Sequence, residues 1–420
     1  MPCRASCAFT PAQIPDIPAF CQPVCAAGLS SRNRSHRRRG PRNGVSTSAP
    51  GRPGPPPMPT SATLPASPPG TAFPPVSRRP SATPGCGRRP DDMTTSAAPD
   101  PRPPVALVGC MRNEGIHILE WLAYHRAIGF HPVVICTNDC EDGSDALLDR
   151  LAQAGVVTHL RNPLPPGTPP QSAGIARAMA HLDTTPVDWL AHLDSDEFLN
   201  IAPGAAPVQS LIARADDADS IALPWRLFGD NGHARWPGET LPAFTACETA
   251  IDPATVKFKS LFRLRSFASA SDHMPTGPLV AAPRAVNAAG EPLSSSVLHG
   301  PPRSRYSPAN AAVRGGAEVN HYAIRSTDVF LMKNDRGRGM GPPSDKYHLG
   351  SKWHARANRN EAQDRSILAR WNEVAQEITR LRALPGVAEA EAACRDWFTA
   401  TRARRLTPET IARWTKKAAA

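Results

Sequence analysis

The amino-acid sequence predicts an α/β fold: a mostly parallel central sheet flanked by helices, with a disordered N-terminal extension and a C-terminal helical segment. Three observations carry this. Short apolar runs alternate with helical stretches from residue 105 onward, the pattern of strands buried on both faces and linked by crossover helices. Residues 1–92 hold 20 of the 48 prolines, separated mainly by Ser, Ala, Gly, Thr and Arg. That segment has too little apolar surface to offset its chain entropy. Helical spacing of large apolar residues then returns near the C-terminus, through Ile367, Trp371, Val374 and Ile378. The chain accordingly divides into an extension over 1–104, an α/β unit over 105–335 and a helical region over 336–420 that packs on it.

The elements follow in order. Val105 to Cys110 is a continuous apolar run and reads as the first strand. Arg112-Asn113-Glu114-Gly115 is a polar turn. Ile118 to Ile128 is a helix with Leu119, Leu122, Ala123 and Ala127 facing inward, stopped by Gly129. Pro132 to Cys136 is the second strand, Asn138 to Ser144 a second polar turn, and Asp145 to Ala154 a helix that ends at Gly155. Val156 to Leu160 is the third strand. A proline-rich loop, Pro163 to Gln171, leads to a helix over Ala173 to His181. Asp188 to Leu193 is a fourth strand, which opens directly onto Asp194-Ser195-Asp196-Glu197. In such sheets ligands lie beyond the carboxyl ends of the strands, so the turns at 112–115 and 138–144 and the acids after 193 share one edge. Further on, residues 328–340 form a flexible basic stretch with Lys333, Arg336 and Arg338. Helices follow over Ile367–Leu381 and Val387–Thr399, then a short basic helix runs to Ala420 with Pro408 in its first turn.

Charge and cysteine usage exclude several function classes. The chain carries +11, and residues 1–92 supply +9 of it through 12 arginines, so the remainder is close to neutral. No specific nucleic-acid binding is expected of the folded part. No run of 18 uncharged apolar residues is present, so no membrane span is expected; Lys416 and Lys417 at the end permit at most peripheral membrane contact. Cys110 and Cys136 lie in strand-like runs and read as buried small hydrophobes. The other cysteines show no zinc-ligand spacing, and a reduced cytoplasmic protein is expected.

The chemistry is expected at Asp194 and Asp196. Residues two apart in an extended segment point the same way, and two neighbouring carboxylates repel unless a cation neutralises them. Oxygen ligands of this kind suit Mg2+ or Mn2+, which also bind phosphate oxygens. There is no Gly-x-Gly-x-x-Gly after the first strand and no P-loop, so neither a dinucleotide fold nor a P-loop enzyme is supported.

A resemblance enters through ordered blocks. They are Val-Gly-Cys-Met-Arg-Asn-Glu-Gly with Leu-Glu-Trp-Leu-Ala-Tyr-His-Arg over 108–126, Thr-Asn-Asp-Cys-Glu-Asp-Gly-Ser-Asp over 137–145, and His-Leu-Asp-Ser-Asp-Glu-Phe-Leu-Asn over 192–200. Trp225, Phe228 to His233, Lys259 to Arg263 and Asn320-His321-Tyr322 continue the series. Over about residues 105–370 the chain resembles the family 2-like glycosyltransferases of GT-A fold, in the bacterial branch related to the glycosyltransferase family 92 (domain of unknown function 23) type. The resemblance implies a metal-dependent hexosyltransferase that moves a sugar, with inversion, from a nucleotide-diphosphate sugar to a glycan, lipid-linked or small-molecule hydroxyl, as in polysaccharide biosynthesis. Cysteine usage and the basic C-terminal end give the expected location, the cytoplasm or the inner face of the membrane. By the same resemblance Asn113, Glu114, Asn138, Asp139, Asp142, Arg177, Asp194 and Lys259 contact the donor, and Asp194, Asp196 and His321 hold the divalent cation. Glu197 orients a ligand from behind. The base that takes the acceptor proton is open among Asp230, His233, Glu239, Asp272 and Glu318, with Asp230 preferred and Glu318 also carried as a catalytic candidate. Two other readings compete: a sugar-phosphate nucleotidyltransferase, which lacks here the Gly-rich turn expected after the first strand, and a nucleic-acid-binding protein led by the Arg-rich tail.

Overall fold

The structure, a computed structural model, describes residues 103–165, 167–201, 206–306, 312, 315–336 and 344–416. The predicted N-terminal extension, apart from its last two positions, lies outside these residues, as do Arg338 and Lys417. The first half alternates as expected: β1 (Val105–Met111), α1 (Ile118–Ala127), β2 (Val133–Thr137), α2 (Ser144–Gln153), β3 (Thr158–Arg161), α3 (Pro170–Leu182), β4 (Trp189–His192). Gly129 and Gly155 follow α1 and α2 with φ of 96° and 70°, a left-handed turn that stops each helix at low steric cost.

The strand order across the sheet is β3-β2-β1-β4, all parallel. Continuing past β4, the strands are β5 (Glu197–Ile201), β6 (Ser220–Leu227), β7 (Phe258–Arg263), β8 (Ala285–Asn287) and β9 (Ala317–His321). β7 lies between β4 and β6 and runs antiparallel to both. β8 and β9 pair parallel with β6, while β5 pairs antiparallel with β9. The sheet is thus parallel on one flank and mixed on the other. Because β7 is reversed, its first residues reach the same edge as the last residues of β4 and β6. That edge carries the site.

Alternation along the central strands makes the core. Val105 and Leu107 of β1, with Val133 and Ile135 of β2, pack in one layer against α1 and a later helix, α7 (Trp371–Arg382). Ala106, Val108, Val134 and Cys136 face the other layer, where Ile175, Ala178 and Leu182 of α3 cover them. A strand read as apolar at every position is therefore buried on both faces, the reason its run is continuous rather than alternating. The remaining helices are α4 (Gln209–Arg214), α5 (Thr327–Arg336), α6 (Lys352–Ala357), α8 (Val387–Arg405) and α9 (Pro408–Arg413).

Three details differ from the sequence expectations. Residues 327–336 are not a flexible basic stretch but helix α5; Asp328 accepts from the Val329 amide at 2.8 Å, and Phe330 and Leu331 are buried. The helix expected to end at Thr399 continues to Arg405. The last helix starts as expected, with Thr407 accepting from the Thr410 amide at 3.3 Å and Pro408 at its first position, but stops at Arg413. Among the described residues, no helix is long and apolar enough to cross a membrane.

Candidate active site

β4 is short because the chain turns sharply at its end. The Leu193 amide still donates to the Val108 carbonyl of β1, and Glu197 N–H closes a turn onto the Asp194 carbonyl at 3.0 Å. The carbonyls of Asp194, Ser195 and Asp196 in this turn each have a donor. Trp121 Nε1 on α1 donates to the carbonyls of Asp194 at 3.0 Å and Glu197 at 3.1 Å. Arg325 Nη2 donates to the Ser195 carbonyl at 2.6 Å, and the Tyr322 amide to the Asp196 carbonyl at 2.8 Å. Tyr124 and His125 of α1 extend the support to Leu199. His125 Nδ1 lies 2.8 Å from the Trp121 carbonyl and so carries the proton, leaving Nε2 to accept. The Trp-Leu-Ala-Tyr-His block thus buttresses the acidic turn.

The two acids face a cavity of 690 Å³. Asp194, one-third exposed at its side chain, accepts from Gln171 Nε2 at 2.8 Å and from Lys259 Nζ at 3.1 Å. Lys259 is fully buried beneath it and also lies 2.9 Å from Glu197 Oε2, which in turn accepts from the Asp194 amide at 2.8 Å. Burial pushes the Asp194 carboxyl up, but Lys259 and His192 outweigh this and hold it below the ordinary range. Burial, with Asp194 and Asp196 nearby, pushes Glu197 up. The carboxylates around Lys259 keep that ammonium charged despite its burial. Glu197 therefore orients Lys259 and the Asp194 backbone from behind.

Asp196 is nearly buried. Lys333 Nζ from α5 donates to its Oδ2 at 2.7 Å and to the Ala323 carbonyl at 2.7 Å. Burial opposes ionisation of Asp196, yet Lys333, His321 and Arg325 together depress its pKa strongly. His321 Nε2 stands 3.6 Å from Asp196 Oδ1. Burial lowers the His321 ring to about 3, so this contact joins a neutral imidazole to a carboxylate and is not an ion pair. Both groups open onto the cavity. Their separation is too long for a hydrogen bond, yet near the spacing of two ligands of one small cation.

The structure brings together Glu114, Asn138, Asp194, Asp196 and His321 on the cavity wall, with Lys259 beneath. It does not bring in the rest. Asn113 lines a separate small pocket, and its side-chain oxygen accepts from the Glu141 amide at 2.8 Å. Asp139 is exposed, with φ of 48°. Asp142 accepts from the amides of Gly115 and Ser144, each at 2.8 Å, and so ties the first two turns together and caps α2. Arg177 is exposed on α3 outside the cavity wall. Asp230 accepts from Asn358 at 2.8 Å and Asn360 at 3.3 Å and fixes a loop. Glu318 pairs with Arg226 at 3.1 Å. Neither is on the cavity wall, because each carboxylate faces a neighbouring segment rather than the strand edge. Among the described residues, no three His, Cys, Asp or Glu side chains form a closed metal cage; the oxygens of Asp194 are bonded to Gln171 and Lys259. Cys110, expected to be buried, is half-buried and lines the cavity, while Cys136 is buried.

Several wall residues escaped the sequence reading. Gln171 lies at the end of the proline-rich loop, where only its position after β3 hinted at the edge. In the sequence Asp272 is only one of five open candidates for the base and not the preferred one; it lies in the hairpin Phe267–Ala270/Pro275–Pro278, 3.4 Å from His273 Nε2. Lys257, Arg303, Lys346, Tyr347 and Trp353 complete the far wall. No local motif marks these; they meet only through the reversal of β7 and the return of the chain after α5.

No protein-family model matches the chain. It is 23% identical over 228 residues to a glycosyltransferase family 92 protein of Ricinus communis, covering 53% of this chain and 36% of that protein. A glycosyltransferase family 92 protein of Oryza sativa subsp. japonica is 24% identical over 193 residues, covering 42% of this chain and 32% of its own. The chain thus spans about a third of the length of these relatives. Among solved structures, S. aureus TarS 1–349 aligns over 71% of this chain and 90% of its own, at 12% identity and a TM-score of 0.29. Glucosyl-3-phosphoglycerate synthase from Mycobacterium tuberculosis, in complex with Mn2+, UDP and glucosyl-3-phosphoglycerate, aligns over 30% of this chain and 44% of its own, at 13% identity and a TM-score of 0.21. Structural likenesses this slight carry neither substrate nor mechanism across.

Proposed function

We propose that the protein is a glycosyltransferase that takes a sugar from a nucleotide-diphosphate donor with the help of a divalent cation. The observation that carries the reading is the placement of Asp194 and Asp196. They stand on a turn fixed by Trp121, Arg325 and Tyr322, at the carboxyl end of a central strand, facing a cavity large enough for a nucleotide-sugar. The similarity to the family 92 proteins supports the same class.

Asp196 Oδ1 and His321 Nε2 would hold the cation, with Asp194 close by and phosphate or water oxygens completing its shell. Bound there, Mg2+ or Mn2+ supplies positive charge to the diphosphate leaving group. The chain's own residues do the rest. Lys259 keeps Asp194 ionised and aimed, and Lys333 does the same for Asp196. Met111, Arg112, Glu114 and Asn138 at the ends of β1 and β2 form the donor half of the cavity. For an inverting transfer the acceptor oxygen attacks the anomeric carbon, the bond to the diphosphate breaks, and its electron pair leaves on the phosphate oxygen. A carboxylate must take the acceptor proton. Asp272 replaces Asp230 as the candidate, since it is on the cavity wall and Asp230 is not.

The test is a panel of nucleotide-sugars assayed for binding and hydrolysis with Mn2+ and with chelator. At least one should bind and turn over in a metal-dependent way; none doing so defeats the proposal. A sugar-phosphate nucleotidyltransferase would instead consume a nucleoside triphosphate and a sugar 1-phosphate, which the same assay separates.

A further inference from the structure

The acids of β4 divide the cavity. On one side are the ends of β1 and β2. On the other, β7, β6 and β9 carry a wall of different character. Trp225 near the end of β6, His321 at the end of β9 and Trp353 of α6 form an aromatic face; the ring centres lie 4.1 Å apart for Trp225–His321 and 6.4 Å for Trp225–Trp353. Lys257 stands just before β7, its Nζ 5.6 Å from the Trp225 ring centre. Lys346 Nζ is 4.9 Å from the Trp353 ring centre and 5.1 Å from that of Tyr347. Arg303 lies on the rim.

The charges on this wall do not balance. Lys333 and Lys259 are matched by Asp196 and Asp194. No carboxylate among the described residues pairs with Lys257, Lys346 or Arg303, and Asp272 is the only acid lining this side among the described residues. Lys257 is half-buried; burial and then Lys346 disfavour its charge, and Asp272 favours it. Two lysines over aromatic rings, neither with a carboxylate at ion-pair distance among the described residues, leave this wall with more positive charge than Asp272 offsets, which suits an anion. Trp225, whose ring belongs to this aromatic face, is 7% exposed, and its Nε1–H is buried without an acceptor.

Resting on the glycosyltransferase reading, we infer that this wall is the acceptor subsite and that it takes an anionic acceptor, a sugar or polyol bearing a phosphate or carboxylate. Its carbon skeleton lies on Trp225 and Trp353, and its anionic group lies between Lys257 and Lys346. The sheet order sets Lys257 apart from the donor half, since the ends of β1 and β2 lie across β4 from β7.

The test uses the full chain and three probes, glucose 6-phosphate, glucuronate and glucose, titrated by calorimetry without donor. At least one anionic probe should bind at least tenfold more tightly than glucose, and more weakly as salt is raised. Whichever of the two binds identifies the anion. The Lys257→Met/Lys346→Met double variant should lose at least tenfold for that probe, whereas Lys257→Arg/Lys346→Arg retains it and reports on folding. Glucose binding as well as both anions overturns the inference. So does a double variant that loses more affinity for a nucleoside diphosphate than for the anionic sugar, because the lysines would then belong to the donor. Absence of any nucleotide-sugar turnover, with the anionic probe still bound, would remove the enzymatic reading and leave the anion site in place.

Discussion

Asp196 is a carboxylate kept ionised inside the protein by three positive or polar neighbours, and its behaviour on substitution separates charge from shape. Asp196→Asn keeps the size of the side chain and removes its charge. Donor turnover should fall by about 100-fold or more while the fold persists, since one electrostatic contact to a leaving group is worth roughly this much; turnover within threefold of the parent contradicts the assigned role. Lys333 gives the complementary case. Its side chain and that of Asp196 are 7% and 11% exposed, so Lys333→Met leaves a nearly buried carboxylate without its partner, at about 3 kcal/mol of stability. Added Mn2+ should return part of that loss in thermal unfolding, and by more than it stabilises the parent. No difference between the two would show that no cation reaches Asp196. The acids themselves were legible in the sequence because they are local and end an apolar strand. Lys333 was not, because it lies 137 residues away and its reach depends on a helix that the basic composition disguised.

At the scale of elements, α1 and the turn after β4 act as one unit. The blocks over 108–126 and 192–200 were visible as a pair, but not the reason for their pairing. The reason is hydrogen bonding across 73 and 76 residues by a single indole. Trp121→Phe keeps a six-membered aromatic ring but removes that donor together with the five-membered ring of a fully buried indole. It should cost about 2–4 kcal/mol in denaturant unfolding, from the cavity and the lost hydrogen bonds together, and lower donor turnover more than the affinity for a nucleoside diphosphate, because the acids lose aim while the β1–β2 half stays intact. Equal losses in both would contradict a positioning role. The parallel strands were legible from continuous apolar runs, as burial on both faces requires. β7 was not, since nothing in Phe258–Arg263 encodes its reversed direction. Asp272 and the Lys257 wall depend on that reversal, which explains why the sequence favoured Asp230, a residue in a Gly-rich loop that instead binds Asn358 and Asn360.

For the whole molecule, buried histidines set the response to acid. Burial lowers His125 to about 3 and His273 to about 4, below the ordinary value near 6.5 that each regains on unfolding. The unfolded chain therefore takes up protons that the folded chain refuses. Their contribution is complete above pH 6.5 and is lost as pH falls below it. Between pH 7.5 and 5.5 each costs about 1.4 kcal/mol, so these two alone should reduce unfolding stability by about 3 kcal/mol. A flat stability profile over that range would contradict their burial as neutral rings. The overall charge says less: its excess lies in residues 1–92, and the described part is close to neutral. Glycosyl transfer at this edge requires that Asp194 and Asp196 bind a nucleoside diphosphate through a cation. Equilibrium binding of nucleoside diphosphates to the full chain, with Mn2+ and with chelator, in the parent and in Asp196→Asn, tests this most directly. At least one should bind with Mn2+, and chelator or the substitution should weaken it tenfold or more; equal affinity under all these conditions, or no binding at all, would contradict a cation-bridged donor site.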